Sequence, residues 1–298
     1  MPARVRPLLL PGAHPLRRHD GRLQVGLDPG SAVIFPPDDA MPAAVRGLDG
    51  SPVPEDSAAV ALLAEAGLLV DERCVVPLLG ATASPAEAAA VAALVRAHGD
   101  RAVEANEGRR RRGIHVVGFG TAGDHLTARI TGLLGDAGLG AVPSETVSTP
   151  EASPALGLLV GVGEPERELV DDWMRRRQPH LVVRLTEGTA RVGPYVAPGE
   201  TACLRCIDAH HADADPTWPL LVRQYAAASR RPRHDGTPEP VDPLLATVAL
   251  AWAARDAATW AEGARPSLWS TVLSLDPALR EVESRCWTRH PGCGCSWQ

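Results

Sequence analysis

Two close pairs of cysteines, set far apart in the chain, constrain what this sequence can fold into more than any other feature. Cys203 and Cys206 stand in PGETACLRC, and Cys293 and Cys295 stand in HPGCGC, three residues from the end. A Cys-x-x-Cys knuckle puts two thiolates on one side of a tight turn, and a second close pair completes the four sulfurs of a tetrahedral structural zinc site. Joining the pairs closes a loop of about 90 residues. A four-sulfur site has no position open for water, so it folds the chain rather than catalysing. The alternatives are thiols that merely cluster, or two disulfides. Nothing in the sequence marks an exported protein, and cytosolic thiols stay reduced, which favours the metal. Cys74 and Cys286 are left over and read as ordinary thiols.

The chain has 298 residues, enough for two domains and a sizeable core. A net charge of −6 argues against the broad basic face of a nucleic-acid binder. Leu8, Leu9 and Leu10 are too short an apolar run for a signal-peptide core. The longest apolar stretch, Leu244 to Ala254, stops at Arg255, far below a membrane span. The expectation is a cytoplasmic protein with neither nucleic acid nor membrane among its partners. All 30 basic side chains are arginine; with 28 Gly and 28 Pro, coding bias suffices to explain the missing lysine.

Residues 1–75 read as short strands followed by short helices. Arg22 to Leu27 alternates, Asp28-Pro29-Gly30-Ser31 is a turn, and Ala32 to Phe35 is a second extended run, together a hairpin. A short helix over 41–48 ends at Asp49-Gly50. Ser57 then caps a helix over 58–66, and Gly67 stands at its C′ position. This pattern predicts a winged-helix α+β domain. Helix 58–66 carries one glutamate and no basic residue, which argues against a major-groove role. The edge run Ala32-Val33-Ile34-Phe35 is the more interesting surface, because an extended peptide can add to it as a strand. Val60, Leu63 and Gly67 share one face of the adjoining helix and are the candidate side-chain contacts. Residues 76–112 read as a helical linker. In it Ser84-Pro85-Ala86-Glu87 is a capping box opening an alanine-rich helix, and Arg109 to Arg112 are expected to be a solvated flank.

From residue 113 the pattern becomes a strand–helix alternation. Ile114 to Val117 is a strand, Gly118-Phe119-Gly120-Thr121-Ala122-Gly123 a glycine turn, and Asp124 to Leu134 a helix. Further apolar runs at 156–162 and 181–185 flank a helix over 166–177, which predicts a doubly wound parallel sheet. Helices over 218–228 and 243–262 follow, and two alternating runs, 268–275 and 279–287, form a hairpin at Asp276-Pro277. Gly118, Gly120 and Gly123 are spaced to bring helix amides against a diphosphate. The acidic ribose partner expected about 20 residues later would be Glu145, which lies in a poor strand. Tight packing of the helix on the sheet explains the glycines equally simply, and a nucleotide-cofactor oxidoreductase would rest on this loop alone.

The run from Val192 to Cys206, VGPYVAPGETACLRC, resembles the crossover strand, PG turn and zinc knuckle of the ThiF-like, ubiquitin-activating-type fold. Asp213 to Pro219 and the terminal HPGCGC narrow the resemblance to the ocin-ThiF-like cyclodehydratase-partner proteins of thiazole/oxazole-modified peptide pathways. In that family a winged-helix recognition element for the precursor's leader peptide precedes the ThiF-like domain, and the LDG and GLL landmarks of residues 1–75 fit it. The resemblance implies a domain over 113–298 with a structural zinc clasp, a precursor peptide and a YcaO-type cyclodehydratase as partners, and a second copy of the chain as an optional one. Its members are mostly not enzymes themselves.

Active relatives of the fold adenylate a carboxylate, which takes cationic contacts to a triphosphate and acidic ones to ribose and magnesium. Here residues 130–166 contain no arginine, the second long run ends Gly161-Val162-Gly163-Glu164 rather than in aspartate, and the chain has no lysine. The expectation is therefore a scaffold without catalytic residues that does not use ATP. A microcin-type peptide adenylyltransferase is the alternative.

Overall fold

The computed structural model describes residues 6–35, 58–143, 155–231 and 233–297. The chain forms two compact units, residues 1–107 and 108–298. In the first, β1 (Pro7–Leu9) pairs antiparallel with β5 (Leu69–Asp71). Strands β2 (Pro15–Arg17), β3 (Leu23–Val25) and β4 (Val33–Ile34) make an antiparallel sheet in which β4 is an edge among the described residues. The expected hairpin is present, with Val25 opposite Val33 and Gln24 opposite Ile34. Its turn is held by the Asp28 carbonyl, which accepts from Ala32 N at 2.8 Å. Helix α1 (Ala58–Glu65) ends at Gly67, whose φ of 65° returns the chain so that Leu68 N reaches Leu63 O at 2.9 Å. Leu23, Val25, Phe35, Ala59, Leu63 and Leu68 form a small core. The helix expected over 41–48, the Asp49-Gly50 landmark and the Ser57 cap lie outside the described residues.

Helix α2 (Glu72–Gly80) starts on Asp71, which caps Arg73 N. Helix α3 (Pro85–His98) opens as the capping box requires. Ser84 Oγ accepts from Glu87 N at 3.2 Å, and the Glu87 carboxylate accepts from Ala83 N at 2.6 Å. Helix α4 (Ala102–Arg111) corrects the reading of a solvated arginine flank in part: Arg110 and Arg111 are exposed, Arg109 and Arg112 are not. Arg109 is buried: its Nε donates to Glu262 at 2.8 Å and its Nη1 to Ala137 O at 2.8 Å. Arg112 donates to Trp260 O and lies over the Trp260 ring. Partners 148 and 153 residues away in sequence satisfy these guanidiniums, which no local pattern announces.

The second unit is built on a seven-stranded sheet in the order β12-β11-β10-β9-β8-β6-β7. Strands β6 (Gly113–Phe119), β7 (Ala141–Pro143), β8 (Ala155–Val162) and β9 (His180–Thr186) run parallel. Strands β10 (Thr189–Val196), β11 (Thr271–Leu275) and β12 (Val282–Cys286) continue it antiparallel, so the sheet is mixed rather than all-parallel. The reason is local. Glu187 and Gly188, both at positive φ, turn β9 straight back into β10, and two residues are too few for a helical crossover.

Side-chain alternation sorts the sheet into two faces. Leu156, Leu158, Val160, Leu181, Val183 and Leu185 meet helices α5 (Gly123–Asp136) and α9 (Pro243–Ala261), the latter capped by Asp242 as expected. Leu159 and Val182 point the other way, toward helices α6 (Arg167–Arg175) and α7 (Leu204–Ala214), with Trp173 and Leu204 fully buried among them. A Cβ on Gly157 would stand 3.0 Å from the Trp173 indole, so glycine is what lets that ring lie on the sheet. Helix α8 (Trp218–Ala228) follows α7. No helix among the described residues is long and apolar enough to cross a membrane.

Candidate functional site

The glycine loop closes on its own fold. A Cβ on Gly120 would stand 2.2 Å from Val162 O, and one on Gly118 would meet Gly123 C and Thr127 Oγ1 at 2.9 Å. A Cβ on Gly123 would come within 3.1 Å of Gly118 C. Each glycine is thus accounted for by the contact of β6, α5 and the end of β8. Gly120 adds a φ of 73° that side-chain-bearing residues avoid. The helix that starts there has no side-chain cap at Ala122.

Beside this loop, at the end of β8, lies a closed group of charges on the α6–α7 face of the sheet. Arg184 Nη1 donates to Glu164 at 2.9 and 3.1 Å, and Arg167 Nη1 donates to the same carboxylate at 3.0 Å. Arg167 also grips Asp208 in bidentate fashion, Nε at 2.6 Å and Nη2 at 2.9 Å. Trp218 Nε1 donates to Asp208 at 3.1 Å. Burial works against the charge on Glu164, but Arg184 and Arg167 outweigh it and hold the carboxyl below its ordinary value. Asp208 is held low in the same way, by Arg167. The expected absence of an aspartate at this strand end is a glutamate whose oxygens are consumed by its own arginines. Only the Glu164–Arg167 spacing, three residues, is visible in the sequence; Arg184 and Asp208 come from β9 and α7.

The four cysteines meet on that same face. Cys203 stands at the N-cap position of α7, Cys206 lies in its first turn, and the C-terminal segment brings in Cys293 and Cys295. All four are buried free thiols, with Cys203–Cys206 and Cys203–Cys293 at 3.7 Å and Cys206–Cys295 at 3.3 Å between sulfurs. No disulfide joins them. The sulfurs lie within 4.8 Å of one another and could hold a metal ion. The Cys203 thiol, donating to Cys206, draws Cys206 down and is itself pushed up by that contact, while burial pushes Cys295 up. Cys74 and Cys286 stand apart as free thiols.

Neighbouring side chains fix the tail that carries Cys293 and Cys295. Gly292 N donates to His290 Nδ1 at 3.0 Å, so Nε2 carries the proton given to Asp213 at 3.0 Å. His210, with Asp213 and His290, has metal-ligand spacing, but the His290 lone pair is already engaged and the three act as a brace. Arg289 donates to Gly199 O at 2.7 Å.

In the first unit the candidate peptide-contact residues divide. Phe35 and Leu63 are fully buried, Ala32, Val33 and Val60 are half-buried, and Gly67 is exposed. Ile34 is exposed on the edge strand. Phe35 N donates to Leu23 O at 2.9 Å, which makes Leu23/Phe35 a hydrogen-bonded pair and turns the N–H and C=O of Ile34 away from β3.

The fold is similar to that of the heterocyclase TruD, with a TM-score of 0.69 and 17% identity over 98% of this chain and 43% of that one. A second heterocyclase structure, in complex with substrate and cofactor, matches with a TM-score of 0.68 and 17% identity, over 98% of this chain and 40% of that one. Escherichia coli MccB with MccA matches at 0.62 and 13% identity, over 98% of this chain and 100% of that one, and MccB with ATP at 0.60. The chain thus spans less than half of the heterocyclase and all of MccB. At these identities the likeness is one of fold. No protein-family model matches the sequence, and no curated protein does.

Proposed function

We propose that this chain is a non-catalytic scaffold of a peptide-modifying system, working in the cytoplasm. Its first unit is a winged-helix element that takes the leader of a ribosomal precursor peptide as an added strand on β4. Its second unit is a zinc-clasped ThiF-like domain that presents the peptide's core to a YcaO-type cyclodehydratase for azoline formation, alone or as a homodimer. The fold shared with TruD, of which this chain spans less than half, supports a division of labour in which a second chain carries out the chemistry. Zinc fits the clasp: a tetrahedron with bonds of about 2.3 Å has edges of about 3.8 Å, close to the 3.7 Å between Cys203 and both Cys206 and Cys293.

The observation that carries the non-catalytic reading is the state of Glu164. An adenylating site needs a carboxylate free to take a metal–phosphate group, and here both oxygens are bound by Arg184 and Arg167 beside a glycine loop packed against Val162. The full-length match to MccB, one of whose structures holds ATP, favours the second reading, an ATP-dependent peptide adenylyltransferase. Pyrophosphate exchange and calorimetry with magnesium–ATP, each with and without the leader peptide, separate the two. We expect leader binding, no ATP binding and no exchange. Micromolar ATP affinity or peptide-dependent exchange would establish the enzyme instead.

A further inference from the structure

Arg191 of β10 stands directly opposite Arg184 of β9, two positive charges paired across neighbouring strands. Arg184 is neutralised by Glu164, whereas Arg191, half-buried, has no hydrogen-bond or ion-pair partner among the described residues. Like charges in register weaken a sheet, so the fold gains nothing from this arrangement. Both arginines line a cavity of about 200 Å³, walled further by Trp218, Trp287 and His211, with Arg285 stacked 3.8 Å over Trp287. Of its carboxylates, Glu164 and Asp208 are already engaged by Arg167 and Arg184; Glu283 of β12 remains, on the far side of Ser274 from Arg191.

We propose that this cavity is a binding site for a small oxyanion, a carboxylate or a phosphate group, seated between Arg191 and Arg184. A volume of about 200 Å³ has room for the anionic head of a ligand. The field in the cavity has the sign such a ligand requires. His211 is held below its ordinary value by burial and by Arg285, Arg191 and Arg184, and Asp208 opposes them only in part. Nothing in this assignment depends on a leader peptide or on the absence of ATP.

The test titrates the metal-loaded, full-length protein with acetate, N-acetylglutamate and inorganic phosphate at constant ionic strength, following the His211 ring protons by NMR. Saturable binding of one equivalent should raise the His211 titration midpoint, and the stronger of carboxylate and phosphate identifies the ligand class. Arg191→Gln should weaken binding by about tenfold or more, the loss of one charge-assisted hydrogen bond, while its melting temperature stays level or rises as the Arg184 repulsion is relieved. Arg191→Lys should recover part of the affinity. The proposal fails if no probe perturbs His211 saturably, or if Arg191→Gln, still folded, binds as the parent does. It also fails if the shifts follow ionic strength alone.

Discussion

Both oxygens of Glu164 accept hydrogen bonds from a single nitrogen, Arg184 Nη1, at 2.9 and 3.1 Å, and all three residues of the Glu164–Arg184–Arg167 group are buried. Removing the carboxylate leaves the Arg184 guanidinium out of water without its counter-charge, while Arg167 keeps Asp208. Glu164→Ala is expected to cost about 3–5 kcal/mol in urea unfolding, the range for breaking a buried ion pair from one side. Replacing the pair together, Glu164→Leu with Arg184→Met, should cost clearly less, because neither charge is then stranded. Equal losses in the two variants would mean that packing rather than charge holds this corner.

Much of the frame was legible in the sequence because its signals are local. Ser84 and Glu87 announce α3 within four residues, Asp242 and Pro243 announce α9, and the alternating runs around Asp276 give β11 and β12. The four cysteines were legible for a different reason, since thiol spacing reports a shared ligand however far apart the pairs lie. What stayed hidden is set by long-range contact. Strand β1 exists only because Leu8 finds Val70, and the fate of Arg109 depends on Glu262. The mixed sheet turned on two residues, Glu187 and Gly188, whose positive φ angles no hydrophobic period encodes.

Acid should unfold the protein in a way that His180 dominates first. This ring is fully buried, its Nδ1 lies 3.1 Å from Gln178 O, and its Nε2 has no hydrogen-bond partner among the described residues. Burial lowers its pKa from 6.5 to about 4. Between those values the unfolded chain binds more protons than the folded one, so stability rises with pH there. The contribution is complete above pH 6.5 and lost as pH falls to 4, a change of about 3 kcal/mol. Glu164 and Asp208, whose folded values are depressed, remove stability only at lower pH still. Denaturation midpoints measured at intervals through this range should decline in the parent and decline much less in His180→Leu, where the depressed His211 still contributes. A parallel decline in both proteins would assign the effect elsewhere.

Metal content should follow the four buried sulfurs and no other thiol. Native-purified protein is expected to carry one zinc ion per chain by elemental analysis. Cys206→Ser should lose it and melt at a markedly lower temperature, since metal affinity in such sites is folding free energy. Cys74→Ser and Cys286→Ser, outside the cluster, should keep both metal and stability. Zinc-free native protein with an unchanged melting point would mean that the sulfurs pack as thiols.

Leader binding is the prediction that the β4 geometry sharpens most. The hydrogen-bonded pair Leu23/Phe35 places the Ile34 amide on the outer side of the strand, where an added strand would meet it. Ile34→Pro therefore removes a donor that β3 does not use, and the exposed side chain leaves no core cavity behind. Phe35→Ala, by contrast, empties the small core around Val25 and Leu63 and should cost about 3–5 kcal/mol of stability whatever the peptide does. The expected result is a folded Ile34→Pro protein, by circular dichroism and melting, whose affinity for a fluorescent leader peptide falls by about tenfold, as loss of one main-chain hydrogen bond and local strand pairing would give. If that variant stays folded and binds the leader as tightly as the parent, the peptide does not extend this sheet. The docking surface would then have to be sought away from β4, with Val60 and Gly67 of the α1 face the first to be substituted.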